Sequence, residues 1–167
     1  WPVLVQEEFA ANRRTVQIAI IAADGMMITS TKLLYPKKPI DLSFREHYKV
    51  HVDSGVDKLF ISEPLVGKAS NNWSVQFTRP FNKADGSFGG VIVVSLDPEF
   101  LTRYYSSLDL GKRGGLAVVG EDGIVRAGAG VYNHLLGKTM PGEAVSGVST
   151  ATTAGALVHV RETDTGP

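Results

Sequence analysis

The chain reads DLSFREHYKVHVDSG at residues 41–55, WSVQFTRPF at 73–81 and GGVIVVSL at 89–96, and these stretches decide its fold. The first carries helix signals at both of its ends and predicts a helix. The other two are rich in β-branched and aromatic residues, and they predict long strands joined by a hairpin at Asp85-Gly86. This order places polar side chains of the helix opposite a sheet, an arrangement in which small-molecule pockets form.

The predicted helix has a start, a stop and a buried face. Ser43 and Glu46 match the S-x-x-E capping box, and a glycine at residue 55 ends the pattern. Phe44, Tyr48 and Val52 recur at i, i+4 and i+8, so they predict the buried stripe.

Composition excludes several classes of function. The 167 residues include 17 basic and 17 acidic side chains, so no net charge attracts nucleic acid or anionic lipid. The lack of cysteine excludes thiolate zinc sites, thiol redox chemistry and disulfides. The sequence also has no Gly-x-Ser-x-Gly elbow, no phosphate-binding glycine loop and no His-Glu-x-x-His pair. We therefore predict no nucleic-acid partner, no cofactor and no catalytic activity.

The ends and the hydropathy of the chain bear on its location. No apolar run approaches the roughly 18 residues of a membrane helix. The chain opens at Trp1 without an initiator methionine or a signal peptide. We interpret it as a piece excised from a longer protein, with any membrane anchor cut away.

Two Asp-Gly hairpins resemble each other. Residues 19–27, AIIAADGMM, match residues 117–125, AVVGEDGIV, at an offset of 98 residues. This spacing indicates two tandem copies of one unit. The alternative is a coincidental likeness between two ordinary hairpins.

The remaining signals set the predicted boundaries. Asp97, Pro98 and Glu99 begin a second helix. About 55 residues follow Gly111, too few to repeat every strand of the first unit. We predict four segments: the end of an N-terminal helix at 1–15, a first, membrane-distal unit at 16–97, a linker helix at 98–112, and a partial, membrane-proximal second unit at 113–167.

Four motifs in order carry a family resemblance. They are the DLSFR helix start at 41–45, a Phe-Ile-Ser-x-Pro-x-x-Gly strand at 60–67, a Trp-to-Arg strand at 73–79 and Asp-Gly-x-Phe-x-Gly-Val at 85–91. The chain thereby resembles the double Cache sensor family, PAS-like extracytoplasmic modules of bacterial receptors such as diguanylate cyclases and sensor histidine kinases. The resemblance covers about residues 15–130.

The resemblance implies both a fold and a function. The fold is α+β, a PAS-like antiparallel sheet flanked by helices, with one complete unit and a partial second unit. The function is that of a periplasmic input domain of an inner-membrane receptor, which binds a small molecule and signals to a cytoplasmic output domain. The full-length receptor is expected to be a homodimer. The alternative function is a ligand-free structural or dimerisation module of the same receptor class.

Site residues follow by position from the amino-acid-binding branch of the family. There, an arginine and aromatic residues on the helix hold the ligand carboxylate, and a tyrosine and two aspartates on strands hold its ammonium. The corresponding positions here are Arg45, His47 and Tyr48 on the helix, and Ile61, Glu63 and Ser95 on the strands. Only one acid remains on the strand side, so we predict a small organic acid rather than an amino acid as the ligand.

Other candidates come from the residues themselves. Arg79 alternates with Phe77 and Phe81, so the three should share a face, where the arginine clamps a ligand or pairs with Glu63. We interpret Trp73 as a core residue or a pocket lid. The complete predicted ligand site comprises Arg45, His47, Tyr48, His51, Ile61, Glu63, Trp73, Arg79, Phe81 and Ser95.

Three of these candidates have an alternative role. Arg45 lies one position off the apolar stripe, so it either contacts the ligand or extends into solvent. His47 and His51, at i and i+4 with Asp53 nearby, could form a metal pair. No third ligand has the right spacing, so we predict a polar helix face and no metal.

Overall fold

The computed structural model describes residues 15–33 and 36–142, together with the strand at 157–161. The chain divides into two units after Asp97. The predicted N-terminal helix falls almost wholly on residues 1–14, outside the described residues, and Thr15 begins the first strand. Within the described residues, no helix has the length and apolar character needed to cross a membrane.

Strands and short helices make up both units, and the predicted α+β class is confirmed. The first unit contains β1 (Thr15–Ala22), β2 (Met27–Ser30), α1 (Glu46–Ser54), β3 (Phe60–Val66), β4 (Trp73–Asn82) and β5 (Phe88–Leu96). The second contains α2 (Pro98–Ser106), β6 (Gly115–Val119), β7 (Val125–Gly130), a 3-10 turn (Asn133–Leu135) and β8 (Leu157–Arg161). The predicted linker helix thus corresponds to α2, which is grouped with the second unit.

The first unit is built on a five-stranded antiparallel sheet. Its strand order is β2-β1-β5-β4-β3, so the last strand of the unit lies at the centre of the sheet. Helix α1 packs on β3, β4 and β5. The core of the unit is formed by Ala19, Ile21, Met27, Leu42, Tyr48, Val91 and Val93.

Helix α1 begins later than the capping box predicts. Its first residue is Glu46. Arg45 is the N-cap residue, with an extended backbone and no side-chain hydrogen bond to the first turn of the helix. The backbone amide of Ser43 bonds Asp41 Oδ1 at 2.8 Å, and the amide of Leu42 bonds the Gly25 carbonyl at 2.9 Å. These bonds hold the chain in a non-helical turn at the predicted start, so the capping box does not form.

The buried face of α1 also differs from the predicted stripe. Phe44 precedes the helix and is 48% exposed, and Val52 is 47% exposed. His47, Tyr48 and His51 are the buried residues of the helix instead. The stripe prediction is wrong except at Tyr48, because it assigned Phe44 to a helical turn that does not exist.

The two similar hairpins have the same backbone register. Ala19 pairs with Ser30 in the first, and Ala117 pairs with Gly128 in the second, again at an offset of 98. A register shift after Ile20 recurs at the equivalent place, after Val118.

The equivalence continues beyond the residues that match in sequence. The backbone amide of Met27 bonds the carbonyl of Ile40, and that of Val125 bonds the carbonyl of Lys138. The amide of Met140 likewise bonds the Gly123 carbonyl, as Leu42 bonds Gly25. Two ordinary hairpins need not share these longer-range bonds, so the geometry favours tandem repetition over coincidence.

The second unit lacks part of the first within its described residues. Its three strands have the order β7-β6-β8. Ala117 of β6 pairs with His159 of β8, as Ala19 of β1 pairs with Val93 of β5. Ala19 and Val93 of the first copy are 74 residues apart in sequence, and Ala117 and His159 of the second copy are 42 apart. The second copy is therefore 32 residues shorter at this point. The described strands match β2-β1-β5, and those residues include no counterparts of α1, β3 and β4.

Candidate functional site

The face of the interior strand β4 that looks toward α1 is polar. His51 Nε2 lies 2.8 Å from Thr78 Oγ1, which identifies the side of β4 that faces the helix. Because side chains alternate along a strand, Gln76 and Ser74 share that side with Thr78. All three β4 residues are buried.

A row of polar side chains crosses the sheet beneath α1, and hydrogen bonds join three of them. Gln17 on β1 is paired with Ser95 on β5, which is paired with Gln76 on β4. The Ser95 hydroxyl donates to Gln76 Oε1 at 2.5 Å, and Gln76 Nε2 donates to Ser74 Oγ at 2.7 Å. The row forms one wall of a cleft at the start of α1.

The cleft is small and mixed in character. Its volume is about 30 Å³, enough for a guest the size of a water molecule. It is lined by Gln17, Ala19, Met27, Leu42, Arg45, His47, Leu65, Gly67, Lys68, Ala69, Gln76, Val93 and Ser95. A larger guest therefore requires a wall to move. Residues 67–69, in the loop between β3 and β4, form one part of the lining without regular secondary structure, and Leu42 and Arg45 form another.

Two cations line the cleft. Arg45 Nη2 donates to the Val66 carbonyl at 3.3 Å, and Lys68 Nζ donates to the Asp41 carbonyl at 3.4 Å. The exposed ring of Phe44 lies 5.4 Å from the Arg45 guanidinium carbon and 4.3 Å from Lys68 Nζ, so it holds both cations near it. No carboxylate is among the described residues that line the cleft, so its charge is positive.

Two buried polar atoms of the cleft have no hydrogen-bond partner among the described residues, Gln17 Oε1 and His47 Nδ1. Burial, followed by the nearby charges of Arg45 and His51, lowers the pKa of His47 to about 4. The imidazole is therefore neutral at pH 7. Buried polar atoms in folded proteins nearly always have a protein or water partner, so this pair marks a place for a polar guest.

Two predicted site residues hold α1 in place instead of lining the cleft. The Tyr48 hydroxyl donates to the Ala23 carbonyl at 2.6 Å, and its ring packs edge-on against Phe88. Burial, with the charge of Asp24, raises the pKa of Tyr48. His51 bonds Thr78, and burial lowers its pKa.

The predicted β3 residues lie away from the cleft. Glu63 is exposed, whereas its neighbour Ser62 is buried. The Ser62 hydroxyl accepts a hydrogen bond from the backbone amide of Gln76 and donates one to the Glu63 carbonyl. Ile61 is partly buried and is not part of the cleft lining. The pairing of β3 with β4 shifts register between Ile61 and Pro64. This irregularity breaks the simple alternation on which a positional assignment depends.

The predicted β4 residues also lie elsewhere. Arg79 and Phe81 have the parity opposite to Gln76, so they do not share the cleft face. Arg79 is exposed and forms a bidentate ion pair with Asp57, at 2.6 and 3.0 Å, rather than with Glu63. Trp73 is 55% exposed, so its interpretation as a core residue is wrong, and it does not line the cleft as a lid would.

Phe81 has a packing role. A Cβ atom added at Gly89 would lie 2.7 Å from its ring, and one at Gly90 would lie 3.0 Å from it. The glycines therefore make room for this ring at the end of the sheet.

Of the predicted residues, Arg45, His47 and Ser95 lie together at the cleft, and Gln17, Lys68 and Gln76 join them without having been predicted. A signal existed for Gln76, which is a polar residue inside the predicted strand at 73–81, whereas Gln17 lies before the hairpin match that begins at residue 19. Lys68 lies in a loop, where no periodicity marks it. No cluster of three or more His, Cys, Asp or Glu side chains that could hold a metal occurs in the part of the chain that the structure describes.

The chain is similar in structure to extracellular domains of bacterial receptors. The extracellular domain of rpHK1S-Z16, described as a histidine kinase, superposes with a TM-score of 0.69 at 24% identity, covering 81% of this chain and 54% of that domain. The amino acid chemoreceptor PctC of Pseudomonas aeruginosa PAO1, in complex with GABA, gives 0.58 at 19% identity, covering 89% and 73%. The chemoreceptor CtaA of Pseudomonas fluorescens, in complex with L-serine, gives 0.58 at 20%, covering 79% and 55%. No protein-family model and no curated protein sequence matches the chain.

These similarities define the fold. The chain has the fold of Cache-like extracellular sensor domains, as the sequence resemblance predicted. It spans about half of the length of the rpHK1S-Z16 domain. The predicted extracytoplasmic location agrees with these neighbours, whose descriptions include an extracellular domain and chemoreceptor ligand-binding domains.

Proposed function

We propose that this chain is an extracytoplasmic sensor domain of a bacterial transmembrane signalling protein. It binds a small organic anion in the cleft between the start of α1 and the sheet, and it passes the signal to a cytoplasmic output domain such as a histidine kinase. The observation that carries the proposal is the pairing of Arg45 and Lys68 on a cleft whose described lining contains no carboxylate. The domain itself has no catalytic role.

The chemistry of Arg45 supports an anionic ligand. Its guanidinium presents parallel N–H donors that match a carboxylate, and the bond that it makes to the Val66 carbonyl is long, at 3.3 Å. A ligand carboxylate can replace that neutral carbonyl with a charged acceptor. GABA and L-serine, which PctC and CtaA bind, each carry a carboxylate, so the neighbours are compatible with this recognition mode.

The size of the cleft sets the mode of entry. A volume of about 30 Å³ does not accommodate a molecule of several heavy atoms, so ligand binding requires residues 67–69 to move outward. Lys68 lies on that segment, and its contact with the Phe44 ring is on the protein surface. The ligand would therefore bind to a conformation in which the segment is displaced and then hold the segment through Lys68.

The experiment is a thermal-shift screen with organic acids, amino acids and purines. A ligand that binds only the native state at 100 times its Kd adds about 2.7 kcal/mol to the free energy of unfolding, which raises the melting temperature by several degrees. Arg45→Gln should abolish this rise for every carboxylate that gives one. Arg79→Gln is the matched control, because Arg79 is exposed and outside the cleft.

Two results would count against the proposal. One is a rise in melting temperature that Arg45→Gln leaves intact and Arg79→Gln removes. The other is that no compound stabilises the protein while its apparent molecular mass in solution increases with protein concentration. A ligand-free dimerisation module would behave in this way.

A further inference from the structure

Gln17 and His47 both line the cleft, and each carries a buried side-chain atom without a hydrogen-bond partner among the described residues. Gln17 is 7% exposed and His47 is 5% exposed, yet Gln17 Oε1 and His47 Nδ1 have no hydrogen-bond partner among the described residues. Gln76, the other glutamine of the polar row, uses both ends of its amide, with Ser95 and Ser74. The row is therefore satisfied at one end and open at the other.

The open end favours a particular chemical group. An amide oxygen accepts hydrogen bonds and never donates them. A neutral imidazole can also accept at Nδ1 when its proton is on Nε2. A ligand group that donates hydrogen bonds would satisfy both atoms, whereas a second carboxylate would add another acceptor in a buried place.

We infer that the cleft selects small monocarboxylates that also carry a hydrogen-bond donor, a hydroxyl or an ammonium group, and that Gln17 Oε1 accepts the hydrogen bond from that donor. The inference rests on the proposed function, since Arg45 and Lys68 take the carboxylate. It assigns a specificity role to Gln17, which the positional resemblance does not include.

The test compares ligands that differ only in this group. The three-carbon set is propionate, L-lactate, L-alanine and malonate, and the four-carbon set is butyrate, 4-hydroxybutyrate, 4-aminobutyrate and succinate. Calorimetric Kd values should be lower for the hydroxyl or ammonium member than for the unsubstituted acid of the same set. The expected difference is roughly ten- to a hundred-fold, the effect of leaving a buried acceptor unpaired.

Substitutions at Gln17 make the test specific. Gln17→Met keeps a similar size and removes the amide, so it should erase the preference within each set. Gln17→Glu adds a negative charge beside the donor and should favour the ammonium ligand over the hydroxyl one, which distinguishes the two sources of the donor. Tyr48→Phe is the control, because it removes a hydrogen-bonding group of α1 that lies outside the cleft. It should lower thermal stability and leave the ligand preference intact.

The outcomes separate this inference from the proposed function. If carboxylates bind through Arg45 but the unsubstituted acid or the dicarboxylate binds as tightly as the donor-bearing ligand, the inference is wrong and the sensor proposal stands. The same holds if Gln17→Met keeps the preference. If no carboxylate binds at all, both are wrong.

Discussion

His51 Nε2 and Thr78 Oγ1, 2.8 Å apart and both buried, join helix α1 to the interior strand β4. This contact fixes which side of the helix faces the sheet. One turn earlier on the same side lies His47, which consequently lines the cleft. Two histidines on the buried side of one helix make the stability of the first unit depend on pH.

Acidification should destabilise the protein through His47. Its pKa is about 4 in the folded protein and near 6.5 in the unfolded chain, so the unfolded chain binds a proton first as the pH falls. The free energy of unfolding is therefore at its full value above pH 6.5 and decreases between pH 6.5 and 4, by up to about 3 kcal/mol. His51, whose pKa is also lowered, contributes with the same sign.

Urea unfolding at pH 7.0, 6.0 and 5.0 measures this dependence. His47→Gln should flatten the decrease, and the exposed His134, when changed to glutamine, should leave it unchanged. Equal pH dependence in the wild-type protein and His47→Gln would contradict the assignment.

Tyr48→Phe should reduce stability without changing ligand binding. The substitution removes the hydrogen bond of 2.6 Å from the Tyr48 hydroxyl to the Ala23 carbonyl and keeps the ring packed against Phe88. The expected loss is about 1 kcal/mol in the free energy of unfolding. Chemical unfolding measures the loss, and calorimetry with a ligand from the screen measures the affinity. A large loss of affinity at unchanged stability would place this hydroxyl in the ligand site after all.

The Asp-Gly turns of the two similar hairpins, at Gly25 and Gly123, should respond differently to the same substitution. Gly25 and Gly123 both have left-handed backbone conformations, with φ of 85° and 78°. Alanine costs about 1–2 kcal/mol there from the conformation alone. An added Cβ at Gly25 would also lie 2.6 Å from Ser43 Cα, whereas at Gly123 the nearest atom is Thr139 Cγ2 at 3.9 Å.

Gly25→Ala should therefore destabilise its hairpin more than Gly123→Ala does. Hydrogen exchange at the backbone amides of Ala22 and Gly120, which close the equivalent turns, reports on each hairpin separately. Equal increases in exchange would mean that the contact with Ser43 relaxes without cost.

The ion pair of Arg79 and Asp57 should contribute nothing measurable to stability. Both side chains are nearly two thirds exposed, so solvent screens the charges despite the bidentate geometry. The Arg79 guanidinium holds the pKa of Asp57 below its usual value. Arg79→Gln and Asp57→Asn should each melt with the wild-type protein within replicate scatter, in low and high salt alike. A clear salt-dependent loss would give this pair a structural role.

Local chemistry made most of the fold predictable. The Asp-Gly turns, the β-branched runs and the glycine after Ser54 predicted strands, hairpins and the helix end close to where they occur. The start of α1 was not predictable, because Asp41 and the Gly25 carbonyl bind the backbone that the capping box would have used. Such competition arises from contacts distant in sequence, which a local pattern does not contain.

The site was predictable on the helix and much less so on the sheet. Arg45 and His47 were found because helix positions are set by one nearby start signal. On β4, successive side chains point to opposite faces of the sheet. The aromatic neighbours of Arg79 indicated the face opposite to the cleft, and Gln76 was therefore missed. On β3 the buried position is Ser62 rather than Glu63, and the pairing with β4 shifts register between Ile61 and Pro64. Strand parity depends on tertiary packing, and one residue reverses it.

The matched registers of the two hairpins create a hazard during folding. Because β2 and β7 present the same backbone pattern to β1 and β6, a strand of one copy could dock on the other copy with its hydrogen bonds intact, a known failure of repeated chains. Side chains must then distinguish the right partner. Ile28 of β2 corresponds to Arg126 of β7, which is buried and bonded to Asp122 at both of its terminal nitrogens. This arginine can distinguish the two strands, because it is buried in its own copy, whereas the corresponding Ile28 is 53% exposed.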